Sequence, residues 1–391
     1  MTPAARLQAA IEILDNVIVA ARENGAPADA IVTRYFKRRR YAGSKDRRAV
    51  RELVFRAIRR SAELPASGRA AIVGLCEDEP TLVELLGQPR GPEPITASDR
   101  AAPAGIIPGW LQGELSPLVK EDEWPALLDR APLDLRVNAA KANRDDLLAR
   151  FPAAVPTPLS LWGMRLPPES RIDDRPEFEA GLVEVQDEGS QLIALACDAK
   201  DGEQIIDLCA GAGGKTLAIA AVAPQSVILA TDSDRTRLLN LGPRASRADV
   251  HIESMLLNPP NELEQLDDWR GNADLVLVDA PCSGSGTWRR NPEGRWRLTP
   301  ERLDRVVALQ ERLLDLGAEL VRPGGRLVFA VCSLLSREGA GQIECFQKRH
   351  SSWISEETGI PGGRPDGPGR LLTPGHDATD GFFVARLRRP C

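Results

Sequence analysis

The spacing of apolar and polar positions changes period twice along the chain. Over residues 4–60 apolar side chains recur three and four apart. Ala9, Ile11, Leu14, Val17 and Ile18 form one stripe, and Val50, Leu53, Val54, Ala57 and Ile58 another, with Lys and Arg on the opposite face. That period predicts helices. A further helix is expected over 70–86, followed by a proline-rich loop, and Pro103, Pro108, Pro117 and Pro125 then punctuate short helices around Trp110 and Trp124. Residues 131–180 mix strand alternation (133–137 and 161–166) with a short helix (144–151), which predicts a small α+β module. From about 181, short runs rich in β-branched residues alternate with helical stretches. Strands are expected at 183–185, 204–207, 227–231, near 250–254, and at 275–279, 325–331 and 382–386. Helices are expected at 190–197, 215–223, 236–241, 300–320 and 337–350. This alternation predicts an α/β, doubly wound, mostly parallel sheet with helices on both faces. The expected domains are 1–130, helical; 131–180, α+β; and 181–391, the main domain.

Composition narrows the class. Hydrophobic residues make up 42% and charged residues 27% of 391 positions, as in ordinary globular proteins. There is no apolar run of membrane-spanning length and no signal-peptide pattern, so no membrane partner is expected. Seven scattered Cys without a CxxC pair, and only three His, argue against a disulfide framework and against structural zinc. They place the chain in a reducing cytoplasm, with no metal, and a monomer is expected. The net charge of −6 does not announce a nucleic-acid binder; its distribution says more, with a first basic stretch that reads either as a solvated helix face or as a phosphate-facing surface. Arg34, Lys37, Arg38, Arg39, Arg40, Lys45, Arg47 and Arg48 crowd one stretch in which Asp46 is the only acid. A second basic run, 288–297, interleaves Trp288 and Trp296 with Arg and is expected to meet phosphates and stacked bases.

The candidate chemistry sits at strand ends. Asp207-Leu-Cys-Ala-Gly-Ala-Gly-Gly-Lys-Thr216 follows one strand, and its glycines let backbone approach a ligand at a helix N-terminus. It lacks the glycine spacing of a Walker loop and of a dinucleotide fingerprint. The next strand ends in Asp232, where a carboxylate can bond both hydroxyls of a ribose. Together these fit a nucleoside-type cofactor such as S-adenosyl-L-methionine. Glu253, near the following strand, is the candidate for an adenine contact. Leu257-Asn-Pro-Pro-Asn261 is similar to the signature of enzymes that methylate exocyclic amines, but lacks its aromatic residue and reads as a loop. Asp279 ends the apolar run 275–278, and Cys282 follows on a turn rich in Gly and Ser. Cys332 ends another strand and is placed to enter the same crevice.

These pieces, in this order, resemble the Sun/Nop family of RNA (cytosine-5) methyltransferases, bacterial RsmB-like branch. The likeness rests on Asp207–Thr216, on Asp279-Ala-Pro-Cys-Ser-Gly-Ser-Gly-Thr-Trp288 and on Val331-Cys-Ser-Leu-Leu335, and runs from about Arg136 to the C-terminus. The resemblance implies a Rossmann-like class I methyltransferase domain, preceded by an RRM-like module and a NusB-like, RNA-binding helical domain. It implies that Cys332 attacks carbon 6 of cytosine, which makes carbon 5 nucleophilic. It implies that Asp279 hydrogen-bonds ring nitrogen 3 and the amino group, and that Cys282 assists loss of the carbon 5 proton. Cys209, Ala210, Gly211, Ala212, Gly213, Gly214, Lys215, Asp232 and Asp279 would hold S-adenosyl-L-methionine. The chain departs from the family pattern twice: Val331 stands where Thr is usual, and Arg337-Glu-Gly-Ala340 replaces an acidic–Asn pair. Ribosomal RNA is the expected partner, with transfer RNA as the alternative. The competing readings are an RNA-binding assembly or antitermination-like factor with a vestigial methyltransferase domain, and an amino-group methyltransferase using Asn258-Pro-Pro.

Overall fold

The structure, a computed structural model, describes residues 1–391. The backbone divides into two compact units. The first comprises Met1–Leu115, Glu121–Asp129 and Thr287–Pro300, and the second Ser116–Lys120, Arg130–Gly286 and Glu301–Cys391. This partition departs from the expected boundaries, because Thr287–Pro300 belongs with the helical residues rather than with the main domain.

In the first unit the helices Pro3–Arg22, Ala28–Lys37, Ser44–Arg60 and Gly68–Asp78 turn their apolar stripes onto a core that includes Leu7, Leu14, Val54, Ile58 and Ile72. The helix expected over 70–86 stops at Asp78. Pro80, with no N–H to give, opens a separate 3-10 turn, Pro80–Leu85. The inserted segment closes helix ends, which carry backbone groups without partners of their own. Glu293 Oε1 accepts from Ala28 N at 2.9 Å, at the start of Ala28–Lys37, where Pro27 supplies no side-chain cap. Arg295 donates to Ile58 O and Ile106 O, each at 2.6 Å, and Trp296 Nε1 donates to Ser61 O at 2.8 Å, so both close the end of Ser44–Arg60. Arg297 reaches Gly25 O and Ala26 O, beyond Pro3–Arg22. Burial and the neighbouring Arg59 pull the Arg295 guanidinium down to about 9. The expectation that this run meets RNA is thereby corrected: Trp288, Arg295 and Trp296 are buried, and the donors of Arg295 and Trp296 are spent on the unit's own carbonyls. The other basic stretch stays outside, with Arg34, Lys37, Arg38, Arg40, Lys45, Arg47 and Arg48 exposed.

The second unit opens with an antiparallel sheet of β1 (Leu133–Val137), β2 (Val155–Pro156), β3 (Gly163–Leu166) and β4 (Val183–Val185), in the order β2-β3-β1-β4. Leu135, Val137, Phe151 and Met164 form its core. The main sheet has nine strands: β5 (Gln204–Asp207), β6 (Val227–Asp232), β7 (Glu253–Leu256), β8 (Ala273–Asp279), β9 (Val321–Val331), β10 (Ile354–Glu356), β11 (Arg364–Asp366), β12 (Gly369–Leu372) and β13 (Phe382–Arg388). Their order is β11-β12-β13-β9-β8-β5-β6-β7, with β10 on β13. Strands β7, β6, β5, β8 and β9 are parallel, and β13 joins β9 antiparallel. Leu275, Val276, Leu277 and Val278 are fully buried, the continuous apolar run that a strand covered on both faces requires. Because five neighbouring strands run the same way, Asp207, Asp232, Asp279 and Val331 all end at one edge. The order reverses at β5, between β6 and β8, and ligands of such sheets bind at that reversal. No helix is long and apolar enough to cross a membrane.

Candidate active site

β8 and β9 pair so that Asp279 lies opposite Ala330, and the pairing continues past the strands through Ala280 N to Ala330 O (2.9 Å) and Gly286 N to Cys332 O (3.1 Å). This register brings Cys282 and Cys332, fifty positions apart, to an Sγ–Sγ distance of 3.2 Å. Gly286 is needed there: a Cβ at this position would lie 2.0 Å from Gly381 O. The hydrogen bond shared with Cys332, burial and the Glu338 carboxylate together drive the Cys282 thiol well above its ordinary value. Lys215 Nζ donates to Asp279 Oδ2 at 2.6 Å and stands 5.3 Å from the Phe382 ring centre. Burial works against the Lys215 charge, but Asp279 more than offsets it, so the ammonium is held above its ordinary value.

On the other side of β5 the Gly-rich turn meets the end of β6. Gly213 has φ +79°, and a Cβ there would lie 2.1 Å from Leu241 Cδ1, so only glycine lets the turn enter the helix Gly214–Val222. Ala210 N donates to Thr231 O at 2.8 Å, and Ala212 O accepts from Arg244 at 2.6 Å. Asp232 accepts from Gly211 N at 2.8 Å through Oδ2 and from Asp234 N at 2.7 Å through Oδ1. Each oxygen keeps a lone pair, so the carboxylate is fixed in place yet free to accept a pair of ribose hydroxyls. Asp207 is buried beneath the turn, with Thr216 Oγ1 on Oδ2 at 2.6 Å, no partner on Oδ1, and a value driven by burial up to about 7. Burial, with Asp207, Asp232 and Asp279 nearby, pushes the Cys209 thiol far up, which leaves it neutral.

One cavity of about 580 Å³ joins the halves, lined by Cys209, Asp232, Asp279, Cys282 and Cys332 among others. Lys215 reaches its edge through Asp279. The donor set fits a nucleoside-bearing ligand on the Asp232 side and a planar base beside the sulfurs. Glu253 is a correction: it begins β7 and lines a separate depression with Ala220 and His251, whereas Leu257 and Pro259 form the cavity wall. The strand starts three residues later than expected, which carries Glu253 away from the ligand edge. Asn258 is exposed, as a loop residue would be. Sequence reasoning missed Arg237, whose guanidinium lies over Gly211, and Glu338, buried behind the thiols. The signal for Glu338 was present, as an acid six positions after Cys332, on the turn that leads into the next helix.

A Gly-rich turn and an acidic strand end astride the reversal of a parallel sheet, closed by an antiparallel last strand, define the Rossmann-like methyltransferase fold. Residues 194–388 match the family model described as 16S rRNA methyltransferase RsmB/F. The chain is 34% identical over 292 residues to the ribosomal RNA small subunit methyltransferase B of Pectobacterium carotovorum subsp. carotovorum (strain PC1), covering 72% of this chain and 66% of that protein. Among solved structures, a methyltransferase homolog protein from Pyrococcus horikoshii superposes with a TM-score of 0.59 at 29% identity, over 68% of this chain and 89% of that one. The structure of PH0851 superposes with a TM-score of 0.77 at 21% identity, over 100% of this chain and 99% of that one, a likeness of fold. The chain belongs to the RsmB/F methyltransferase family, and it spans 66% of the length of the curated relative.

Proposed function

We propose that the chain is an S-adenosyl-L-methionine-dependent RNA (cytosine-5) methyltransferase acting on ribosomal RNA. The observation that carries this reading is the pair of sulfurs 3.2 Å apart beside the Asp279–Lys215 pair, in a cavity that also reaches Asp232. Amino-group methylation needs no thiol, whereas carbon 5 of cytosine is unreactive until a nucleophile adds at carbon 6. In this reading Cys332 Sγ forms the bond to carbon 6. Asp279, held by Lys215, hydrogen-bonds nitrogen 3 and the amino group and steadies the charge that develops on the ring. The bound donor supplies an electrophilic methyl group on a sulfonium. Cys282 then takes the proton leaving carbon 5, and the Cys332–carbon bond breaks to free the product. Asp232 and the 209–215 turn orient the donor. The target base must leave its stack to enter the cavity, so an unpaired or loop cytosine is expected. The exposed cations of Arg34–Arg48 are the RNA-facing surface assigned to the first unit.

The test is bisulfite mapping of ribosomal and transfer RNA from cells with and without the protein. The account expects one or more 5-methylcytosines of ribosomal RNA to vanish without it and to return with the wild type but not with Cys332→Ala. A transfer RNA site would reassign the substrate. A methyl group on the exocyclic amine, or no measurable affinity for the donor, would overturn the reading.

A further inference from the structure

Behind the two thiols lies a carboxylate that the chemistry above does not use. Glu338 is fully buried, on the turn before the helix Ala340–Arg349. Its Oε1 accepts from Ser283 N at 2.8 Å and from Gln310 Nε2 at 2.9 Å, and its Oε2 accepts from Ser333 Oγ at 2.5 Å. Ser283 and Ser333 directly follow Cys282 and Cys332, so one side chain fastens both thiol turns. Ser285 completes the clasp: its Oγ lies 3.1 Å from Ser283 Oγ and from Ser333 Oγ, and accepts from Leu334 N at 2.9 Å. Gln310 also holds Pro281 O at 2.9 Å. All three donors to Glu338 are neutral, so no bonded countercharge cancels its field at the thiol turns.

The surroundings of the two sulfurs are therefore unequal. Glu338 takes the main-chain N–H directly after Cys282 but only the side-chain hydroxyl of Ser333 after Cys332, and its charge acts on Cys282, whereas the Lys215 ammonium acts on Cys332. Asp279 and Arg312 line the cavity that both sulfurs share. A single proton between two sulfurs 3.2 Å apart stays on the one that feels the carboxylate and leaves the one that faces the ammonium. We propose that Glu338 is a positioning residue for the thiol pair: by anchoring Ser283 and Ser333 it sets the sulfur-to-sulfur distance, and by its charge it keeps the shared proton on Cys282, leaving Cys332 as the nucleophile. Once Cys332 is bonded to carbon its negative charge is gone. Cys282 can then release its proton to solvent and take the one leaving carbon 5. The meaning of this arrangement rests on the cytosine-5 reading, but the resting thiols can be examined without RNA or donor.

The experiment is alkylation of the full chain by iodoacetamide across about pH 5 to 10, read at each cysteine by mass spectrometry. Wild type is expected to label Cys332 at lower pH than Cys282. Glu338→Gln is expected to lower the Cys282 profile by about one pH unit, narrowing its separation from Cys332, and Glu338→Asp to restore most of that separation. Ser333→Ala loosens the anchor without removing the charge and should keep the order of labelling. Wild type labelling Cys282 first overturns the proposal, as does a folded Glu338→Gln whose profiles do not move. If Glu338→Gln does not fold, the order in wild type and in Ser333→Ala decides. A wrong labelling order with intact 5-methylcytosine formation overturns the role of Glu338 alone. The right order without any cytosine methylation overturns only the reading of function.

Discussion

Replacing Trp296 by Ala separates a packing role from an RNA-binding one. The residue is only 5% exposed, sits in the core of the first unit, and gives its indole N–H to Ser61 O at 2.8 Å. A buried Trp removes about 150–250 Å² from water, roughly 4–6 kcal/mol at about 25 cal/mol per Å² before allowing for a compact unfolded state. Measured Trp→Ala costs in cores run about 3–5 kcal/mol, and stranding the Ser61 carbonyl adds about 1 kcal/mol. A loss of about 4 kcal/mol is a large part of the roughly 5–15 kcal/mol that holds a domain together. Scanning calorimetry should show the transition of the first unit falling by more than about 10 °C. Hydrogen exchange should quicken in Pro3–Arg22 and Ser44–Arg60, the helices whose ends this segment closes. Trp296→Phe, which keeps the packing but loses the N–H, should cost about 1–2 kcal/mol. A stacking residue would behave oppositely, with Tm within about 2 °C of wild type and RNA binding weakened about tenfold. That result would refute the reasoning.

Other expectations are narrower. Gly213→Ala forces a Cβ onto Leu241 at a left-handed position, so donor affinity by calorimetry should fall at least about tenfold in a chain that still folds; unchanged affinity would contradict the placement of the turn. Asp207, at about 7 when folded and about 3.9 when unfolded, keeps its proton longer in the native state. Its contribution to stability is therefore full below about pH 4 and is lost as pH rises through about 7. Asp207→Asn carries no charge at any pH, so its denaturation midpoint relative to wild type should be higher at about pH 8 than at about pH 5; an equal difference at both would sink this account.

Much of the main domain was legible because its signals are local. Short apolar runs such as 275–278, rich in Val and closed by Asp and Pro, read as strands buried on both faces, and their acidic ends fall at one edge once the strands are parallel. The Gly-rich turn and Asp232 lie about twenty residues apart in one β–α–β unit, so their meeting needs no long-range information. The thiol pair was a harder inference, since only the β8–β9 register brings Cys282 to Cys332. The basic run 288–297 misled because alternating Trp and Arg serve two ends. They can stack on bases and pair with phosphates, or fill a core and cap carbonyls, and the choice depends on helices more than 200 positions earlier. Glu253 failed through a three-residue slip in where β7 begins, since pattern marks a strand's existence better than its bounds.

The central claim is that Cys332 bonds to the base and Cys282 releases it. Purified wild type, Cys282→Ala and Cys332→Ala should each be incubated with substrate RNA and S-adenosyl-L-methionine, then run on a denaturing gel. The account predicts a protein–RNA adduct that accumulates with Cys282→Ala and is absent with Cys332→Ala, which should also transfer no methyl group. Full turnover by Cys332→Ala, or an adduct formed through another residue, would contradict it.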